Sequence, residues 1–295
     1  MEIKGIIPAI LTPIHQNQTV NEEVLRQFVN HLIDNGVHGI FALGTNGEFH
    51  LFNKEDKIKI AKTIIEEVNG RVPVIIGTGG NSTEESIEMS QIMESLGADA
   101  LSIITPFFIN PTQEELKEHF TRIAESTSLP VLLYNIPART GMNIEPEIVK
   151  DLADVSNIAG IKDSSGNFDN IQQYIEQTKG KDFSVFAGTD SLILETLKAG
   201  GAGAVAATAN LLPDTVVSIY NHWKNGELAE AEKAQSHLQP LRDTFKYGTL
   251  PSALKKAVVL SGIDVGPPKL PVKELAGEGL EIVKKMVLDY KKLHI

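Results

Sequence analysis

The chain contains no cysteine, which excludes disulfides, thiolate nucleophiles, iron–sulfur clusters and cysteine-ligated zinc together. No apolar run approaches the roughly 18 to 20 residues that span a bilayer. The start, Met1-Glu2-Ile3-Lys4-Gly5-Ile6-Ile7-Pro8, lacks the apolar block and small-residue cleavage site of a signal peptide. A cytoplasmic protein with no membrane partner is therefore expected. Basic residues are also scarce: 27 lysines and arginines face 38 aspartates and glutamates, a formal charge of −11. With no local cluster of cations to relieve that repulsion, nucleic acid is an unfavourable partner. An acidic surface repels anionic metabolites too, so a site for one needs its own cations or hydrogen-bond donors. Arg139 and Lys162 are candidates on this ground.

The eight histidines show neither the H-E-x-x-H pattern nor another tight ligand pair, and no metal is expected. Gly77-Thr78-Gly79-Gly80 and Gly200-Gly201-Ala202-Gly203 carry no P-loop lysine, so they read as tight turns. No cofactor is expected.

What the chain does have is a regular alternation of short apolar runs and amphipathic stretches. Strands buried on both faces appear as continuous Val/Ile/Leu segments, and surface helices as a 3.6-residue period. The spacing predicts eight strands: Ile6 to Leu11, Gly39 to Leu43, Val72 to Gly77, Ala100 to Thr105, Pro130 to Asn135, Ile158 to Lys162, Ser184 to Gly188 and Ala204 to Ala207. Between them, Leu25, Phe28, Val29 and Leu32, and again Met89, Ile92, Met93 and Leu96, follow the helical i, i+3, i+4, i+7 pattern. Ser82 with Glu85, and Thr112 with Glu115, have capping-box spacing. Gly36 and Gly97 stand where helices should stop.

Eight strand–helix pairs over about 225 residues match a TIM barrel better than a doubly wound sheet. The fold expected is α/β, a (β/α)8 barrel over residues 1–225. A helical extension over 226–295 should contain helices at 227–246, 251–261 and 280–293.

Active sites of such barrels lie at the C-terminal ends of the strands. That rule selects Thr45, Asn46 and Glu48, then Tyr134, Asn135 and Arg139, then Lys162 and Asp163, then Thr189 and Asp190. Lys162 ends the apolar run Ile158-Ala159-Gly160-Ile161, which places its amine in or at the mouth of a packed barrel. Burial there penalises an ammonium, and a neutral amine can attack a ketone. The alternative is that Lys162 merely pairs with Asp163 or Asp190. Tyr134, at the corresponding level of the adjacent strand, could move protons beside that amine, or could be a core tyrosine with one satisfied hydroxyl. The turn Gly44-Thr45-Asn46-Gly47-Glu48 offers small polar side chains and backbone N–H groups suited to a carboxylate. It could equally be an ordinary loop that needs glycine angles.

Taken together, Gly44-Thr45-Asn46-Gly47-Glu48, Tyr134-Asn135-Ile136-Pro137-Ala138-Arg139-Thr140-Gly141 and Gly160-Ile161-Lys162-Asp163 resemble the dihydrodipicolinate synthase/N-acetylneuraminate lyase family. The likeness runs over nearly the whole chain, including Gly266-Pro267-Pro268 and Leu270-Pro271. It implies a class I mechanism in which Lys162 forms a Schiff base with pyruvate, Tyr134 shuttles protons and the Thr45 hydroxyl joins the relay. The pyruvate carboxylate would sit at Thr45 and Asn46, with the Val205 backbone lining the pocket. The family also implies a homotetramer.

Two departures bear on the reaction. Where true synthases have a tyrosine entering the neighbouring subunit's relay, this chain reads Pro106-Phe107-Phe108-Ile109-Asn110-Pro111, and phenylalanine has no hydroxyl. The second threonine of the glycine turn is Asn46, as in hydroxy-oxoglutarate and 2-keto-3-deoxy sugar acid aldolases of the family. Arg139 in Pro-Ala-Arg-Thr-Gly pulls the other way, because synthases use it for their second substrate's carboxylate and a planar guanidinium suits that task. The expectation is an aldolase acting on a 2-keto-3-deoxy or 4-hydroxy 2-oxo acid. The alternative is 4-hydroxy-tetrahydrodipicolinate synthase, condensing pyruvate with aspartate semialdehyde. A non-catalytic 2-oxo acid sensor and a metal-dependent aldolase are rival classes.

Overall fold

The computed structural model describes residues 3–293. Eight parallel strands form one sheet: β1 (Gly5–Pro8), β2 (Ile40–Ala42), β3 (Val74–Gly77), β4 (Ala100–Ile104), β5 (Val131–Asn135), β6 (Ile158–Asp163), β7 (Ser184–Ala187) and β8 (Gly203–Ala206). From β2 to β8 each strand pairs with the next, and β8 pairs with β1. The remaining gap, between β1 and β2, is bridged by the Ala9–Phe41 pair, with Ile10 N donating to Phe41 O (3.0 Å) and His38 N to Ile6 O (2.8 Å). The sheet is thus a nearly closed barrel of the TIM type, as the alternation predicted. The first strand is shorter than expected because beyond Pro8 the chain leaves the β8 ladder and turns its next residues toward β2.

Strand alternation divides the core in two. Ile7, Phe41, Ile75, Leu132, Phe186 and Val205 fill the barrel interior, while their neighbours in sequence, such as Leu133 and Val131, join the larger core between strands and helices. This period of two decides which polar residues at the strand ends look into the barrel and which look outward. Helix signals behave as the sequence suggests: Thr112 and Glu115 form a reciprocal capping box, and the Ser82 hydroxyl accepts from Glu85 N. Gly36 and Gly97 follow their helices with φ of +79° and +92°.

The last barrel helix, Pro213–Lys224, is followed by helices Leu228–Ser236, Gln239–Thr244, Ser252–Ser261 and Gly277–Leu293. The single helix expected over 227–246 is broken. Pro240 lacks an N–H and is tolerated in the first turn of a helix rather than its interior, so a new helix starts at Gln239. Tyr290 of the terminal helix spans the break, donating to His237 O (2.8 Å) and accepting from Leu241 N (3.0 Å). The extension is bonded to the barrel through Ile14 N to Val265 O, Lys269 Nζ to Gln18 O and Gln235 Nε2 to Asp190 O. No helix among the described residues is long and apolar enough to cross a membrane.

Candidate active site

Lys162 on β6 lies in register with Tyr134 on β5 and Phe186 on β7, so its side chain shares the inward face with both. It is 3% exposed. Its Nζ stands 3.9 Å from the centroid of the Tyr134 ring and 4.7 Å from that of Phe41, on a floor of aromatic faces. Neither acid expected as a possible partner reaches it. Asp163, one residue on, points out of the barrel, and Asp190 accepts from Ala207 N (3.1 Å) and Thr208 N (2.6 Å). The pairing alternative therefore fails twice: Asp163 follows Lys162 on the strand and so faces the opposite side, and the Asp190 carboxylate is held by backbone N–H groups instead.

Gly188, just past β7, gives the lysine stem its room. A Cβ there would meet Lys162 Cε at 3.0 Å and Ser164 Oγ at 2.1 Å.

A hydrogen bond of 3.1 Å joins the Thr45 hydroxyl to that of Tyr134. Thr45 and Asn46 sit on a turn held under backbone strain, with Leu43 at φ +54° and Glu48 at φ +59°. Such left-handed angles at non-glycine residues each cost of order 1 kcal/mol or more and persist where the surroundings impose them. The fastening is visible. The Thr12 hydroxyl donates to Gly47 O (2.8 Å). Glu48, fully buried, pairs with Lys255 Nζ at 2.7 Å and accepts from Lys269 N at 2.7 Å, and Lys255 also donates to Pro267 O (2.8 Å). Burial pulls the Lys255 amine below its ordinary value, and the Glu48 charge opposes that shift. Glu48 is thus a strut between the turn and the helical extension, not a group facing substrate.

On the outer side of the same strands lies a second polar layer. Asp163 Oδ1 accepts from Asn135 Nδ2 (2.7 Å) and Asn170 Nδ2 (3.0 Å), and Oδ2 from Ser165 Oγ (2.5 Å). Asn135 Nδ2 also reaches Asn143 Oδ1, and the Tyr174 hydroxyl donates to Ile144 O. Burial raises the Asp163 carboxyl above its usual range, while its three side-chain donors work against that. Asn135 and Asp163 therefore brace the strands that carry Tyr134 and Lys162, from behind.

The inward residues open onto a cavity of about 760 Å³ at the C-terminal mouth of the barrel. Its base holds Lys162, Tyr134, Thr45, Asn46 and Val205, and Arg139, Thr189 and Asp190 lie on its walls. All six site residues expected from the sequence meet in this one space. Sequence reasoning missed Ser164, Gly188 and a wall supplied by the extension, Arg242 and Phe245 to Leu250. Gly188 had a signal, since it directly follows a strand; the extension had none, because its residues reach the site from more than 75 positions beyond Lys162 in the chain.

An amine seated on aromatic faces, next to two linked hydroxyls at the foot of a cavity, is equipped for imine chemistry: one group to attack a ketone and a path for the protons that must move.

Comparison with known proteins agrees with this reading. The profile of the dihydrodipicolinate synthetase family matches residues 2–289. The 4-hydroxy-tetrahydrodipicolinate synthase of Methanopyrus kandleri is 40% identical over 99% of this chain and 97% of its own length. A second protein of that name, synthase 1 of Halalkalibacterium halodurans, is 40% identical over 94% of each. Among solved structures, a dihydrodipicolinate synthase superposes with a TM-score of 0.93 at 38% identity, covering 98% of this chain and 99% of that one. A prophage protein of the dihydrodipicolinic acid synthase family from E. coli K12, in complex with pyruvate, gives 0.94 at 34%, covering 98% of both chains. The chain belongs to the dihydrodipicolinate synthetase family and is a lyase of the class I aldolase type.

Proposed function

We propose that the protein is a 4-hydroxy-tetrahydrodipicolinate synthase, joining pyruvate to aspartate semialdehyde through a Schiff base at Lys162. The observation that carries the chemistry is the chain of contacts from Thr45 to Tyr134 to Lys162. The full-length relatives of that name support this substrate pair over the sugar acid aldolase expected from the glycine turn.

The Lys162 amine attacks C2 of pyruvate, and the carbinolamine loses water to give the imine. Tyr134 delivers the proton that leaves with the water, and Thr45 relays it. The protonated imine accepts the electron pair released when C3 loses a proton, and the resulting enamine carbon attacks the aldehyde. The amino group of the bound semialdehyde then adds to C2 and displaces Lys162, closing the ring and freeing the enzyme. Thr45 and Asn46 hold the pyruvate carboxylate, with the Val205 backbone lining the pocket, and Arg139 holds the carboxylate of the semialdehyde.

A second reading, pyruvate release from a hydroxylated 2-oxo acid, is favoured by Phe108 and Asn46. Both readings require a protein–pyruvate adduct, so the experiment has two stages. Borohydride with pyruvate should modify the peptide containing Lys162, and Lys162→Ala should lose both adduct and activity. Wild-type enzyme should then condense pyruvate with aspartate semialdehyde far faster than it cleaves 2-keto-3-deoxygluconate or 4-hydroxy-2-oxoglutarate; the reverse order would establish the aldolase reading instead.

The homotetramer belongs to the same proposal. Phe108 and Ile109 are 93% and 76% exposed, and adjacent apolar side chains so placed are suited to cover by a second copy. Phe108→Asp should shift the mass seen by light scattering downward.

A further inference from the structure

Of the five arginines of this acidic chain, three are tied up in bonds on its surface. Arg26 bonds Glu66 and Glu67, Arg122 bonds Glu84, and Arg71 bonds the Asn30 side chain and the carbonyls of Glu67 and Val68. The other two line the same cavity, from opposite parts of the sequence. Arg139 has no side-chain acceptor among the described residues, and Arg242 has a 3.4 Å approach to Gln239 Oε1 and no carboxylate. Lys246, one turn beyond Arg242, also lines the cavity, with its Nζ 5.3 Å from the centroid of the Tyr247 ring and no ion pair among the described residues. The sole acid of the lining, Asp190, is already bound to two backbone N–H groups. In a protein of charge −11, three unpaired cations around one mouth make a local positive field, and a guanidinium presents a planar fork that matches a carboxylate.

We infer that Arg242, on the helical extension, is a second carboxylate-binding residue of this cavity, acting with Arg139 to select an aldehyde that carries an acid group, while Lys246 strengthens the attracting field. The inference deepens the proposed reaction and rests on it for taking an aldehyde as second ligand. Arg139 arrives on the segment after β5 and Arg242 on the helix Gln239–Thr244, so the acid group is met from both the barrel and the extension.

Binding to the Lys162→Ala protein separates this inference from the proposed reaction, because that protein can form no imine. Succinic semialdehyde and butanal are the probes: each has four carbons and an aldehyde, and the first alone has a carboxylate. Calorimetry should show succinic semialdehyde bound at least tenfold more tightly than butanal. Adding Arg242→Gln should weaken it by tenfold or more, as expected when a charge-assisted hydrogen bond is lost, and leave butanal unchanged. Arg242→Lys should recover part of the loss, and unchanged melting temperatures show that the variants are folded. A smaller loss in Arg242→Gln, or equal affinity for the two aldehydes, overturns the inference. Failure of wild-type enzyme to condense aspartate semialdehyde would instead overturn the proposed reaction and leave these affinities readable.

Discussion

Replacing Lys255 by methionine should destabilise the protein by about 3 to 5 kcal/mol, the range for leaving one member of a buried ion pair without its partner. The magnitude follows from where the pair sits. Lys255 is 1% exposed and Glu48 0%, so water cannot take over the role of the ammonium. Methionine keeps most of the stem volume and removes three donors. Glu48 then retains Lys269 N on Oε1 and loses its cation on Oε2, while Pro267 O loses a donor, itself about 1 to 3 kcal/mol when buried. Unfolding entropy of about 2.1 cal/mol/K per residue over 295 residues converts the total into a melting temperature lower by about 5 to 8 °C. Differential scanning calorimetry at one scan rate measures it. The double variant Glu48→Gln/Lys255→Met should regain at least half of the loss, because it removes the stranded charge as well. A single variant melting within about 1 °C of wild type, or a double variant no better than the single one, would refute the strut.

Tyr134→Phe keeps the ring beside the Lys162 amine and removes the hydroxyl, so kcat should fall by about 10²- to 10⁴-fold with a much smaller change in the KM for pyruvate; Thr45→Val, one step further along the relay, should lower kcat less. Gly188→Ala pushes a methyl to within 2.1 Å of Ser164 Oγ and 3.0 Å of Lys162 Cε, and since a shift of about 1 Å in a reacting group can cost about 10²-fold, turnover should fall by about 10- to 10²-fold, with circular dichroism unchanged. His119 is buried against Thr83, and burial lowers its pKa from 6.5 to about 4. The unfolded chain therefore binds more protons as the pH falls from 6.5 to 4, and stability declines across that window by up to about 3 kcal/mol. Denaturant titrations should show this slope reduced in His119→Gln; an unaltered slope would count against it.

Much of the site was legible because barrel geometry converts short-range sequence into long-range position. The lysine at the end of Ile158 to Ile161 and the tyrosine at the end of Val131 to Leu133 could be placed level with each other from strand alternation alone, and the register bears this out. The same alternation, applied one residue further, tells why Asp163 and Asn135 face the helices, a distinction that a list of polar strand ends does not make. Glu48 was misplaced for a different reason. Its partner lies 207 positions away, on a helix whose docking no local pattern encodes. Arg242 and the segment from Phe245 to Leu250 were invisible for the same cause: an amphipathic extension announces that it packs, but its sequence does not say over which face.

Because Lys255 and Lys269 grip the turn that carries Thr45 and Asn46, the terminal seventy residues are not ornament on a self-sufficient enzyme. A protein engineer who trimmed the chain to its eight strands and their helices would strand a buried glutamate, slacken that turn and remove one wall of the cavity above Lys162. For the same reason, grafting new termini or fusing a partner in this region would act on catalysis from a distance, through a carboxylate that never meets the substrate.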